Sequence, residues 1–112
     1  MKVIKIGYKL GDVELIEIEN DLHELQALVE GYIEPCAPLE LRERGIELLA
    51  NEEGLLAGLE NNHNLFPYFF VGTLVMVGVQ GDELVSLTDE QISFAREWLK
   101  LLDNGELYEV NI

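Results

Sequence analysis

Residues 16–35 read IEIENDLHELQALVEGYIEP. Within these twenty residues an apolar/acidic alternation gives way to a helical repeat, with hardly a residue between them. Ile16 and Ile18 carry the two-residue period of a strand, while Leu22, Leu25, Leu28 and Val29 recur at the spacing that lines one helix face. At the join, Asn20 or Asp21 supplies an N-cap, and Asp21 with Glu24 three residues later makes a capping-box-like pair. Gly31 is expected to close the helix, which then spans residues 21–30, as a left-handed C-cap residue. A strand running straight into a capped helix points to an α+β chain. Five carboxylates crowd the join: Glu17, Glu19, Asp21, Glu24 and Glu30. The helix dipole gives Asp21 and Glu24 a reason to sit in the first turn. Glu17 and Glu19 have none.

On the N-terminal side, KVIKIGY places Ile4, Ile6 and Tyr8 on one face with Lys5 and Lys9 on the other, a half-buried strand. KLGD turns the chain into VELIEIE, whose alternation slips between Leu15 and Ile16. A bulge there would reconcile the two halves of an antiparallel hairpin. On the C-terminal side, YIEPCAPLEL is an extended segment broken by Pro35 and Pro38 and reads as an edge strand or a strand plus loop. GIELLANEEGLLAGLENN is expected to form a β-hairpin, with NEEG (residues 51–54) as a type I turn ending in a left-handed Gly54. NNHN is a loop, and FPYFFVGTLVMVGV holds one long or two short buried strands. SLTDEQISFAREWLKLLDNG predicts a helix over 88–103: Thr88 and Gln91 form its capping box, Ile92, Ala95, Trp98, Leu99 and Leu102 its buried face, and Gly105 its end. ELYEVNI closes as a short strand anchored by Leu107 and Val110. The fold expected is α+β, one domain over residues 1–112. It is a mixed, mostly antiparallel sheet of five to six strands with a β-grasp-like ββαβ start and two helices packed on it.

Charge is the dominant anomaly of the composition. Twenty-two acids against seven bases give −15. Residues 1–11 carry +3, residues 12–60 carry −12, residues 61–81 are neutral and residues 82–112 carry −6. Such a chain repels nucleic acid and anionic membranes and is drawn to basic protein surfaces. Direct DNA or RNA binding lacks its phosphate-neutralising bases. The apolar run from Leu65 to Val79 contains Pro67, Gly72 and Gly78 and falls short of the roughly 20 residues of a spanning helix. Met1 opens straight into KVIKI with no apolar leader core, and Cys36 is the single cysteine, so a reducing, cytoplasmic home is expected.

No catalytic group emerges from the sequence. Cys36 could pair only with His23 or His63, and nothing orients either imidazole as a base. The histidines are forty residues apart and there is no second cysteine, so no metal site is expected. DNGE (residues 103–106) lacks the alternating ligand pattern of a calcium loop. Without a phosphate-cradling glycine loop or a nucleophile elbow, the chain is read as neither an enzyme nor a cofactor binder.

The acids themselves are the candidate site. Glu17 and Glu19 share a parity, and alternate residues on one strand face lie about 6.6 Å apart. Asp12, Glu14 and the turn acids Glu52 and Glu53 are expected to extend that field. Rows of carboxylates can imitate duplex DNA, with its charge every ~1.7 Å of axis, to a basic groove.

Four stretches, IENDLHELQALVEGYIE (18–34), ANEEGLLAGLENN (50–62), VGTLVMVG (71–78) and SLTDEQI (86–92), together resemble a family of small phage and mobile-element domains of unknown function. The resemblance spans roughly residues 3 to 95. It implies an intracellular bacterial setting near anti-restriction genes, carries no catalytic residues with it, and supports the NEEG hairpin. In that company the expected job is counter-defence: an anti-CRISPR or anti-restriction inhibitor, monomer or homodimer, held on the basic surface of a host defence nuclease. The competing expectation is an accessory module of the mobile element that acts by oligomerisation or docking through its apolar 65–79 tract.

Overall fold

The computed structural model describes residues 1–112. Elements follow in the order β1 (Lys2–Ile6), β2 (Val13–Glu17), α1 (Leu22–Val29), β3 (Ile33–Pro35), α2 (Leu39–Arg42), β4 (Ile46–Asn51), β5 (Leu74–Gln80), β6 (Glu83–Val85) and α3 (Asp89–Leu101). The six strands make one sheet in the order β2-β1-β5-β4-β3, with β6 also paired to β5. Every pairing is antiparallel. The α+β class and the ββαβ start are as the sequence predicts, and the four-residue α2 joins the two longer helices. No helix is long and apolar enough to cross a membrane.

The central strand explains the layering. β5 is apolar on both faces, and a strand of that kind must be covered on both. Leu74 and Met76 join Ile4, Ile6 and Leu48 in a core closed by Ile92, Ala95, Trp98 and Leu99 of α3. Val75 and Val77 join Val3 and Leu49 in a smaller core closed by Leu25 and Val29 of α1. Fully burying each such side chain contributes about 1.5–3 kcal/mol.

Two-sided burial also removes the expected bulge. The β1–β2 register runs unbroken from Lys2↔Glu17 to Ile6↔Val13, with Val3↔Ile16 and Ile4↔Leu15 between. Val13 and Leu15 share a face with Ile6 and Ile4, whereas Ile16 sits across from Val3 and packs against the α1 core. The slipped alternation marks a strand with apolar partners on both sides.

Helix α1 is capped by Asp21, whose Oδ1 accepts from the His23 N–H at 2.8 Å; the cap is a single bond, and Glu24 makes no return bond to it. The left-handed residue at its other end is Glu30 (φ 62°), not Gly31. Gly31 leaves room for Asn51: a Cβ there would lie 2.6 Å from Asn51 Nδ2 and displace that amide. That amide donates to the Val29 and Glu30 carbonyls at 3.1 and 3.2 Å, satisfying the end of α1 from the end of β4.

The expected 45–62 hairpin does not form. β4 ends at Asn51 and finds its partners in β3 and β5. Beyond it, NEEG begins a run of turns in which Ala57 N–H donates to Glu53 O and Leu59 N–H to Gly54 O, and Gly58 (φ 70°), not Gly54, is left-handed. These local bonds use the backbone groups a second strand would need, and the flank of β4 is already taken by β5. Of FPYFFVGTLVMVGV (66–79) only the part from Leu74 onward is strand; residues 66–73 are an irregular segment in which the Phe66–Pro67 peptide is cis. α3 has the Thr88/Gln91 capping box and the apolar face predicted for it, but ends at Leu101, with Leu102 as C-cap and half-buried. The expected C-terminal strand is absent: Val110 is buried as an anchor, whereas Leu107 is exposed and no ladder holds the segment.

The NNHN loop proves to be a fastening. Asn62 Nδ2 donates to the carbonyls of Ile6 (3.1 Å) and Gly72 (2.9 Å), and its Oδ1 accepts from the Asn64 N–H. Asn64 Nδ2 donates to Gly7 and Lys9 carbonyls at 2.7 and 2.8 Å, while its Oδ1 accepts from the Gly11 N–H at 2.7 Å. Both side chains are buried and tie the 52–73 segment to the β1–β2 turn. Fully satisfied buried amides of this kind rigidify irregular backbone.

Candidate functional site

Twenty-one of the twenty-two acids are exposed, and the exception is Glu47. Glu47 bridges β4 to α2: its Oε2 lies 3.2 Å from Arg42 Nε, and its Oε1 accepts from Arg42 and from the Ala37 N–H. The other ion pairs are Lys5–Glu14 at 3.7 Å and Glu97–Lys100 at 3.5 Å. Arg44 lies 4.4 Å from the centre of the Phe94 ring, and Arg96 donates to the Ile112 carbonyl. Five of the seven bases are thus engaged internally, while nineteen acids have no basic partner.

The topology separates the six predicted site residues. Asp12, Glu14 and Glu17 lie on or beside β2, an outer strand of the sheet. Glu19 follows just beyond it, and Glu17 and Glu19 line a shallow depression with Glu24 and Met1. Glu14 is on the opposite face of β2 from Glu17 and is paired with Lys5. Glu52 and Glu53 follow β4, about 14 Å across the sheet from β2 at three strand spacings. They lie at the strand ends near Asp12, whereas Glu17 pairs with Lys2 at the far end. One continuous field of all six does not exist. There are two acidic patches, one around Glu17, Glu19 and Glu24 and one around Glu52 and Glu53.

The second patch holds what sequence reasoning missed. Glu34, Glu52 and Glu53 rim a groove of about 460 Å³ that runs between β3 and the 66–71 segment. Its apolar wall includes Leu55 (68% exposed), Leu56 (91%) and Phe69 (70%). No lysine, arginine or histidine lines it. The signal available in the sequence was the pair Leu55–Leu56 following two glutamates. A hairpin reading assigns one of those leucines to each face and so hides the patch.

Cys36 also lies in the groove wall. Burial, with the Glu47 and Glu34 carboxylates adding to it, pushes its thiol up to about 12, and its Sγ lies 3.4 Å from the Leu48 carbonyl. A thiol so shifted stays protonated at neutral pH. The remaining perturbed cluster is structural. Tyr68 and Trp98 both donate to Glu40, and the Tyr68 ring stacks on Trp98 and on Phe70 at centroid distances of 5.8 and 5.9 Å. The Tyr68 hydroxyl holds the Glu40 carboxyl below its ordinary range and is itself raised by it. This trio joins α2, α3 and the 66–70 segment.

Residues 1–102 match DUF3846, described as a domain of unknown function. The chain belongs to this family. No curated protein and no solved structure matches it. The DUF3846 description states no activity, and it names neither phages nor anti-restriction systems; the mobile-element setting rests on the sequence resemblance alone. At its surface this chain carries carboxylates in two patches and one groove with apolar walls.

Proposed function

We propose that this DUF3846 chain is a non-enzymatic counter-defence protein of a phage or mobile element, an anti-CRISPR or anti-restriction inhibitor. In the bacterial cytoplasm it occupies the basic nucleic-acid-binding surface of a host nuclease and blocks access by bulk and by charge. One observation carries the reading: nineteen exposed or rim carboxylates have no basic partner, while most bases are used internally. A surface charged this one-sidedly steers toward basic partners at rates that fall steeply with salt. The test is cleavage by purified Cas effectors and restriction enzymes, with and without the protein, at low salt and at about 0.5 M salt, where the Debye length shrinks to about 4 Å. Inhibition at low salt that Glu17→Lys with Glu19→Lys weakens at least tenfold supports the proposal. Inhibition untouched by those reversals reduces the β2 acids to solvation.

A second reading has its own support. Phe66 and Phe69, with Leu55 and Leu56, leave apolar surface uncovered at one end of the sheet, and such surface commonly marks a protein interface. An accessory module of the mobile element that docks another protein or its own copy through this surface would bind through high salt. Light scattering across a dilution series separates a self-associating module from a monomeric inhibitor.

A further inference from the structure

We infer that the groove between β3 and the 66–71 segment is the contact site for a cationic, amphipathic stretch of a partner protein: an apolar anchor flanked by arginine or lysine. The inference rests on the reading of this chain as a protein-binding module, and it names where and by what chemistry the partner is held.

Two features of the groove specify the occupant. Its wall is apolar, with Phe69, Leu55 and Leu56 all more than two thirds exposed and facing a common cavity of about 460 Å³. That is room for one large side chain and its neighbours, and large apolar anchors in such pockets dominate binding energy. Its rim carries Glu34, Glu52 and Glu53 with no base among the lining residues. A purely apolar occupant would leave those carboxylates partly desolvated and unpaired, which is costly. A purely polyanionic one would be repelled. An arginine or lysine satisfies both parts at once, its stem along the leucines and its head on the rim, and a guanidinium can stack on the exposed Phe69 ring. A second copy of this chain is disfavoured, because it would bring three further rim carboxylates and a net charge of −15 against the first.

The groove is also preformed. Asn51, at its floor, holds Glu53 through the Glu53 N–H on Oδ1 at 2.8 Å while its amide caps α1. Glu52 N–H donates to Tyr32 O, fixing the rim to the start of β3. On the other wall, Asn62 binds the Gly72 carbonyl and Phe70 O accepts from the Asn62 N–H, so the segment bearing Phe69 is tied into the sheet. The neighbouring strand does not compete by edge pairing. Tyr32 O and Cys36 N–H both bond inward to β4, so Pro35 stands at an outward ladder position where it has no N–H to offer. Side chains, not backbone, make the contact.

The experiment is an amide-shift titration of the isotope-labelled full chain with three capped nonapeptides: one alternating arginine with leucine and phenylalanine, one of arginine and serine with the same charge, and one alternating glutamate with leucine and phenylalanine. The first should shift the amides of residues 33, 34, 36, 50–56 and 69–71, and bind at least tenfold more tightly than either control. Phe69→Ala and the pair Glu52→Lys with Glu53→Lys should each weaken it at least tenfold while the remaining amides keep their positions. If the arginine–serine peptide binds as tightly, or its shifts centre on residues 12–19, the groove inference falls and the acidic-inhibitor reading stands. If no peptide shifts the groove, or if groove amides move on dilution of the protein alone, the inference is overturned. Loss of nuclease inhibition with groove binding retained would instead overturn the function proposed above.

Discussion

The β2 edge and the 61–64 loop are both polar, and they use polarity in opposite ways. Around β2, Asp12, Glu17 and Glu19 are exposed, carry formal charge and have no basic partner. In the loop, Asn62 and Asn64 are buried, uncharged and bonded at both ends of their amides. A carboxylate could not replace either asparagine, because it accepts only and each site needs two N–H donors and an acceptor. At β2 the net charge therefore resides in acids without a basic partner, whereas the 61–64 loop holds the chain through polar residues that contribute no charge. Binding and folding should be separable by mutation.

The comparison breaks first, if anywhere, at Asn64. Asn64→Ala removes bonds to Gly7, Lys9 and Gly11 and strands those backbone groups. A loss of about 3–5 kcal/mol in urea unfolding is expected, since each orphaned group costs about 1–3 kcal/mol. A loss under about 1 kcal/mol would mean that the loop is not fastened there. Next comes Tyr108, whose hydroxyl is buried without a partner and is raised by that burial. Tyr108→Phe should stabilise the protein by about 1 kcal/mol, because it removes an unsatisfied polar atom and keeps the ring; a destabilised variant would reveal a bonded hydroxyl.

Glu40 lies between the two regions, an exposed acid that does bond. Tyr68 lowers its folded-state pKa below the unfolded value. Its contribution is thus complete above the unfolded value and is lost as pH falls through the folded one. Wild type should lose more stability than Glu40→Gln between about pH 5 and pH 3, and parallel melting curves for the two would remove Glu40 from the acid response. The smallest stability effect belongs to the β2 acids. Glu17→Lys with Glu19→Lys should move stability by no more than about 0.5 kcal/mol, with any gain coming from relieved self-repulsion. A loss above about 1 kcal/mol would show that these acids hold the fold and would end their candidacy as a binding surface.

What the sequence determined by itself was what short-range physics controls. The Asp21 and Thr88 caps, the apolar face of α3, the β1–β2 hairpin and the edge position of the Pro35 strand follow from residues within a few positions of one another. So does the α+β class. Where an element had more than one local solution, tertiary contacts chose. β4 took β5, 22 residues further on, as its partner in place of a hairpin mate, because only the two-sided apolar strand could complete both cores. The double coverage of the sheet turned an expected bulge into regular pairing. Gly31 serves an asparagine twenty residues away, and the loop asparagines serve carbonyls more than fifty residues away, relations that no local pattern encodes. The acidity was plain from composition. Its division into two patches, and the apolar groove beside one of them, came from strand order, which places residues distant in sequence side by side and sets Glu52 and Glu53 about 14 Å across the sheet from β2.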